Sequence, residues 1–340
     1  MDSTSSQESD AIERRELPPL ERVRDDVWAL AQPMLGGHLA YSLAYLLRDA
    51  QGGVHVIDPG WDADANWERL VTALAVVAPG TAGPDVVTGI TGTHLHRDHV
   101  GLAARLREAS GAPLALHDTE RRVLAQHSTR RLDDGEALRR LREWGVPSER
   151  QAELAQYVDR SPDGLVLAVD RVLADGDRLP VSGFRIEVMA TPGHTAGHIC
   201  LRDDDRGVLF TGDHVLPTVF PGLGLGGETA SNPLADYAAS IRRVRMFPDH
   251  EALPGHGYRF TGLAERAAEC LDHQLKRARE VAAILAEEGG SVGGPGIWEI
   301  ASRLTWTAGW SGLAGFHLLS ALSQTEMHRD FVSTHGLPAG

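Results

Sequence analysis

The chain has 340 residues, of which 42% are hydrophobic, and it carries a formal net charge of −14 at pH 7. This length suits two domains or one large domain with an appendage, and the composition is that of a globular protein. The negative charge disfavours binding to the phosphate backbone of nucleic acids or to an anionic membrane surface.

The N-terminal residues, the apolar runs and the cysteines indicate the cellular compartment that we expect. Residues 1–20 are polar and acidic, which predicts a disordered tail without the apolar segment of a signal peptide. No apolar run reaches the length of about 18 residues that a transmembrane helix needs. Cys200 and Cys270 lie in apolar surroundings and are expected to be free thiols. We therefore expect a cytoplasmic protein, and its near-exclusive use of arginine over lysine hints at a bacterial source.

The first part of the chain is rich in predicted strands. Val27–Leu30, Ala40–Leu47 and Val54–Ile57 have strand composition, and the periodicity of Trp67–Val77 predicts a helix. A β-branched run from Asp85 to Ile90 indicates a further buried strand.

Immediately after that run, the chain places three imidazoles and one carboxylate within six residues: His94, His96, Asp98 and His99. His94 and His96 alternate along an extended backbone, so their side chains can point in the same direction. Imidazole and carboxylate groups are ligands that zinc prefers. The pattern therefore predicts a metal site where a strand runs out into a loop.

Helical spacing of apolar residues between Thr119 and Asp163 predicts an inserted helical pair. Such an insertion suits either a wall of the active-site pocket or an element of packing or dimerisation, and the sequence does not separate the two. Strands are predicted to resume at Leu165–Val169, Arg171–Ala174 and Phe184–Met189, followed by a hairpin of His198–Leu201 and Val208–Phe210.

The last part of the chain is predicted to be mainly helical. A helix capped near Asn232 runs to Arg245. Leu263–Glu288, Ile297–Leu304 and Gly315–Ser323 follow it.

Three later segments repeat the chemistry of the first cluster: Thr191–His198, Phe210–Asp213 and Leu253–Gly257. Together with Thr93–His99, they resemble the metallo-β-lactamase superfamily, whose signature is T-H-x-H-x-D-H, and in particular its LACTB2-like branch. The resemblance implies an α/β fold, a four-layer αββα sandwich over residues 21–260 that contains the insertion at 119–163. Residues 261–340 would form a small helical, winged-helix-like C-terminal domain.

The family pattern also assigns site residues. By that pattern one metal is held by His94, His96 and His194, a second by Asp98, His99 and His256, and Asp213 bridges them. Asp58 matches a buried group of the family that supports the metal histidines, and Asp98 would also orient the nucleophile. Two zinc ions are expected, with iron or manganese possible. His198 and His214 flank ligands and could support them, although packing or solvent exposure is expected for each.

The resemblance implies a hydrolase that attacks its substrate with a metal-bridged hydroxide. We expect the substrate to be a small molecule with an ester-like acyl bond, such as a thioester, ester or lactone. The alternative is a nuclease or phosphodiesterase acting on single-stranded RNA. It is disfavoured because residues 261–340 hold six basic and nine acidic residues. A non-enzymatic binding module is disfavoured by the complete ligand set. A homodimer is possible, no membrane partner is expected, and the substrate-binding residues stay open.

Overall fold

A computed structural model describes residues 1–35, 39–81, 83–129, 134–158, 165–227, 229, 231–287, 294–307 and 309–337. The strands are β1 (Asp2–Ser3), β2 (Glu21–Arg24), β3 (Val27–Pro33), β4 (Tyr41–Arg48), β5 (Val54–Ile57), β6 (Val87–Thr91), β7 (Leu114–His117), β8 (Arg171–Leu173), β9 (Glu187–Ala190), β10 (Ile199–Asp203), β11 (Val208–Gly212), β12 (Glu251–Pro254) and β13 (Phe260–Thr261). The helices are α1 (Ser6–Arg14), α2 (Asp64–Val77), α3 (Arg97–Val100), α4 (Ala103–Ser110), α5 (Asp118–Thr129), α6 (Asp134–Glu143), α7 (Ser148–Ala155), α8 (Pro233–Val244), α9 (Leu263–Glu287), α10 (Ile297–Arg303) and α11 (Gly315–His335).

The strands form two sheets that pack face to face. One has the sequential order β2-β3-β4-β5-β6-β7-β8, and the other has the order β1-β13-β12-β11-β10-β9. In the first sheet β5, β6, β7 and β8 run parallel, and in the second β11 and β12 run parallel. Because parallel neighbours end at the same edge of a sheet, the loops that follow β5 and β6 lie at one edge of the first sheet, and those that follow β11 and β12 lie at one edge of the second.

The alternation of side chains along β4 shows how the layers are built. Tyr41, Leu43 and Tyr45 point into the core between the two sheets, whereas Ala44 and Leu46 point to the other face and pack with α2 and α4. On the outer face of the second sheet, α8 and α9 contribute buried residues to a further core. The structure is therefore an αββα sandwich, which confirms the predicted fold class.

The N-terminal segment differs from its prediction, because residues 1–20 are not disordered. β1 adds a strand beside β13, and α1 is capped by Ser5, whose side chain accepts a hydrogen bond from the Glu8 backbone amide. The carboxylate of Glu8 is buried and accepts hydrogen bonds from Arg259 N at 2.8 Å and Arg259 Nε at 3.0 Å. A buried charge is stable only when it is paired, and the partner here lies some 250 residues further along the chain.

The predicted insertion is helical and comprises α5, α6 and α7, while residues 159–163 at its end lie outside the described residues. Leu141, Trp144 and Leu154 are buried in one apolar cluster with Ile297 of α10 and Leu318 of α11. In addition, Trp144 Nε1 donates to Glu326 Oε1 at 2.7 Å. Of the two roles left open, α6 and α7 therefore fill that of packing elements, here against the C-terminal helices.

The structure contradicts one further strand prediction and confirms the prediction for the cysteines. Residues Leu165–Val169 form no strand, although Leu165, Leu167 and Val169 do pack against the core between the first sheet and helices α2 and α4. Cys200 and Cys270 are free and buried as expected. The predicted end of α9 at Glu288 lies outside the described residues. Within the described part of the chain, no helix has the length and apolarity to cross a bilayer.

The pairing of Glu8 with Arg259 makes a testable claim about the N-terminal segment. Glu8→Ala removes two charge-assisted hydrogen bonds, so we expect the free energy of unfolding to fall by about 2 kcal/mol. Amide exchange across α1 should accelerate as well. Chemical denaturation measures the first effect and hydrogen exchange the second. The control is Glu13→Ala, which changes an exposed residue of the same helix. Equal stability of the two variants would contradict the anchoring.

Candidate metal centre

The structure brings together all seven residues that the sequence predicted as ligands. They form two groups: His94, His96, His194 and Asp213, and beside them Asp98, His99 and His256. In each group the ligand atoms lie within 4.8 Å of one another. Five of the residues come from the loops that follow β6, β9, β11 and β12, and Asp98 and His99 lie on the short helix α3 that begins just after His96. The strand ends of both sheets therefore supply the site.

The carboxylate of Asp213 lies between the two groups. Its Oδ1 is 3.4 Å from His99 Nε2 and 3.5 Å from His256 Nε2, whereas its Oδ2 is 3.6 Å from His194 Nε2. Among the described residues Oδ1 has no hydrogen-bond partner, although the atom is buried. A buried carboxylate oxygen is expensive to leave unpaired, and a cation on each side would satisfy both oxygens.

The nitrogen atoms of the first group also fit a metal. His96 Nδ1 lies 2.9 Å from His94 Nε2 and 3.1 Å from His194 Nε2. Neutral imidazole carries a single N–H, so three nitrogens that converge on one point cannot all be satisfied by one another. Three histidines and a carboxylate are a donor set typical of zinc and related divalent cations.

The ring nitrogens that point away from the centre are held by the protein. These outer contacts are His99 Nδ1 to Asp58 Oδ2 at 2.9 Å, His256 Nδ1 to Tyr41 O at 2.7 Å, His194 Nδ1 to Gly222 O at 2.7 Å and His96 Nε2 to Leu225 O at 2.9 Å. Such contacts fix the tautomer and the orientation of each ring, so the inner nitrogens stay free to coordinate.

Asp58 contacts the segment that carries the ligands, as predicted from the family pattern. It also accepts from Thr93 N and Thr93 Oγ1, each at 2.7 Å. Its backbone has φ of 50°, a left-handed conformation that costs energy in a non-glycine residue. This turn after β5 places the Asp58 carboxylate within hydrogen-bond distance of both Thr93 and His99.

Burial and charge set the protonation of the histidines. Burial, followed by the neighbouring His96, lowers the pKa of His194 to about 4 and leaves that ring neutral. Burial also lowers the pKa of His256, but the carboxylates of Asp213 and Asp98 outweigh this effect and raise it to about 10. A cation that binds at His256 must therefore displace a proton, so its affinity should fall with decreasing pH.

Sequence reasoning missed one buried carboxylate, that of Glu120 on the first turn of α5. Glu120 Oε2 accepts from Leu95 N at 2.9 Å, between two of the ligand histidines. Its Oε1 accepts from Thr195 Oγ1 at 2.9 Å and from Gly197 N at 2.6 Å. The side chain therefore ties the loop of His94 and His96 to the loop of His194. No motif marks Glu120, because it lies within the predicted insertion.

His198 is the second residue whose role was missed, since packing or solvent exposure was expected for it. Its Nε2 accepts from the backbone amide of Asp213 at 3.2 Å, and its Nδ1 lies 2.9 Å from Thr191 Oγ1. It thereby fixes the start of the loop that carries the shared carboxylate. His214 is also buried, but neither of its ring nitrogens has a hydrogen-bond partner within the described chain.

With this geometry established, comparison with known proteins decides the family. The family model described as "Metallo-beta-lactamase superfamily" matches residues 39–256, which include every residue of both groups. The chain belongs to the metallo-β-lactamase superfamily. Membership implies divalent metal ions, and the two groups of histidine and aspartate residues are where this chain would hold them.

Several curated relatives are similar in sequence. A beta-lactamase-like protein 2 homolog of Caenorhabditis elegans is 33% identical over 33% of this chain and 36% of its own length, which supports the predicted LACTB2-like branch. The acyl-coenzyme A thioesterase MBLAC2 of Gallus gallus is 29% identical over 69% of this chain and 78% of its own. A hydroxyacylglutathione hydrolase of Rhizobium etli is 37% identical over 35% and 45%. The chain thus spans less than half of the first and third of these proteins.

Solved structures share the fold over almost the whole chain. A metallo-beta-lactamase family protein from Thermus thermophilus has a TM-score of 0.72 and 26% identity, covering 93% of this chain and 95% of its own. A beta-lactamase domain protein from Burkholderia ambifaria has a TM-score of 0.74 and 24% identity, covering 93% and 88%. These likenesses extend through the helical C-terminal part as well as the sandwich.

The contacts of Glu120 generate a prediction about metal affinity. In Glu120→Gln one acceptor oxygen becomes an amide donor, so the carboxylate can no longer hold both ligand loops. We expect zinc affinity to fall by about 10-fold to 100-fold, as for other groups that orient ligands. Competition with a chromophoric chelator measures this, and Glu108→Gln, at an exposed position of α4, is the matched control. Equal affinity in the two variants would show that Glu120 does not position the ligands.

Proposed function

We propose that this protein is a binuclear metallo-hydrolase, with zinc as the first candidate metal, that cleaves the thioester bond of a small acyl substrate. The observation that carries the binuclear part is Asp213, whose two carboxylate oxygens face different ligand groups. The names of the chicken and Rhizobium relatives support the substrate class, because acyl-coenzyme A and hydroxyacylglutathione are both thioesters.

When bound, two divalent cations would lower the pKa of a water molecule to roughly 7 and stabilise negative charge on a carbonyl oxygen. The residues of the chain hold the ligand groups in position. His99 and His256 are held in place by Asp58 and by the Tyr41 carbonyl, so the donor groups need no rearrangement during the reaction.

The exposure of the ligands indicates where substrate approaches. His96 and Asp98 are partly exposed, whereas the other five ligand residues are buried. Asp98 Oδ2 is 3.1 Å from His256 Nε2, so its carboxylate lies at the solvent side of the second group. In the proposed reaction Asp98 orients the attacking water, which is the catalytic role that the family pattern assigns to it.

The alternative of a ribonuclease is less well supported. Three arginines, Arg242, Arg243 and Arg245, lie together at the end of α8, but Arg243 already pairs with Asp175 at 2.8 Å. The overall charge of −14 leaves little to neutralise a phosphate backbone. We therefore propose a small-molecule substrate and no nucleic-acid partner.

Parallel assays separate the two activities. Zinc-loaded protein should hydrolyse acyl thioesters of coenzyme A or glutathione, detected by release of the free thiol. It should show no tight binding to single-stranded RNA in fluorescence anisotropy at near-physiological salt. His96→Ala removes a ligand and should abolish thioester cleavage, while the control His250→Ala, whose ring contacts Asp204 away from the centre, should retain it.

Two outcomes would overturn the proposal. Thioester cleavage that survives His96→Ala would come from something other than this centre. Micromolar or tighter RNA binding, with metal-dependent cutting that His96→Ala abolishes, would establish the nuclease instead.

A further inference from the structure

A pocket of about 490 Å³ opens beside Tyr41, whose carbonyl holds the ligand His256, and beside Gly257, which follows that ligand. Its lining residues are Ala11, Ile12, Arg15, Glu16, Leu39, Ala40, Tyr41, Thr218, Val219 and Gly257. The volume falls in the range of about 300–1,000 Å³ that is typical of small-molecule sites. The pocket is therefore large enough to hold part of a substrate.

The N-terminal helix α1 supplies one wall of this pocket. Ala11 and Ile12 are buried and half-buried, whereas Arg15 and Glu16 are exposed, so apolar groups lie inside and the charges lie toward solvent. The wall is held in place by the buried pair of Glu8 with Arg259. A helix anchored in this way can present a fixed apolar surface.

A second wall comes from the loop that follows Asp213, through Thr218 and Val219. Val219 is half-buried, and its carbonyl accepts from Arg266 Nη2 at 2.9 Å. Arg266 Nε also donates to Leu216 O at 2.8 Å, which fixes the same loop. With Leu39, the side chains of Ile12 and Val219 give the pocket three half-buried aliphatic groups.

The pocket lies next to one ligand of the metal centre, His256, on the side of its ring that faces away from the other ligands. Tyr41 and Gly257 line it, and the Tyr41 carbonyl accepts from Nδ1 of the ligand His256 at 2.7 Å. The Tyr41 hydroxyl also donates to Gly257 O at 3.0 Å, so these two lining residues are held together. A group that occupies the pocket would therefore lie behind the His256 ring, one side chain away from the rest of the second group of ligands.

We propose that this pocket binds the apolar acyl chain of the substrate, and that the N-terminal segment is thus part of the specificity site. The inference rests on the proposed thioesterase function, because that function supplies an acyl group to be held near the centre. Each methylene of the chain that is buried against Ile12, Leu39 and Val219 should raise the affinity by about fourfold, until the pocket is full.

Substitution at Ile12 tests the assignment. In Ile12→Trp the indole fills the pocket, whereas Glu13→Trp places the same side chain on the exposed face of the same helix. We expect Ile12→Trp to lower kcat/KM for decanoyl-coenzyme A by about tenfold or more and to leave acetyl-coenzyme A within about twofold. Glu13→Trp should leave both unchanged. Val219→Trp fills the pocket from the other wall and serves if Ile12→Trp does not fold.

A loss of equal size for both thioesters, or no loss for either, would overturn the acyl pocket. Binding of decanoate, measured by calorimetry, separates this inference from the proposed function. If the parent cleaves no thioester but binds decanoate, and Ile12→Trp loses that binding while Glu13→Trp keeps it, the pocket assignment is supported and the thioesterase function is contradicted. If decanoate binds equally to the parent and to the variants at positions 12 and 219, the pocket assignment falls, whatever the protein hydrolyses.

Discussion

The constraint on which the structure depends is the burial of one carboxylate among histidines. Asp213 can stay charged at a strand end between the sheets only because positive charge can be placed on both of its sides. The surrounding contacts keep the ligand rings aimed at it: Asp58 orients His99, His198 holds the Asp213 amide, and Glu120 ties two ligand loops together. The αββα sandwich delivers these loops to one edge because the strands that precede them end there.

Much of this could be predicted from the sequence, because the decisive signals are local. The alternation of His94 and His96 after a β-branched run marks a strand end with ligands on one side, and the order of the later motifs supplies the remaining ligands. The four-layer fold followed from the resemblance, and strands such as β4 show the alternation it requires. All seven predicted ligand residues do come together in the structure.

The rest depends on contacts between distant parts of the chain. The polar composition of residues 1–20 predicted disorder, since no local pattern shows that Glu8 meets Arg259. Glu120 and Trp144 are unremarkable in sequence, and only the packing of the insertion reveals one as a clamp on ligand loops and the other as part of a core with α11. Leu165–Val169 has strand composition, but it buries its apolar side chains against the core between the first sheet and helices α2 and α4 and forms no strand there.

The central claim is that Asp213 bridges two metal ions. Anomalous diffraction from crystals of the zinc-loaded protein tests it most directly. We expect two anomalous peaks about 3.5–4 Å apart, one bound by His94, His96 and His194 and the other by Asp98, His99 and His256, with one Asp213 oxygen on each. A single fully occupied peak, or two peaks with Asp213 bound to only one of them, would contradict it.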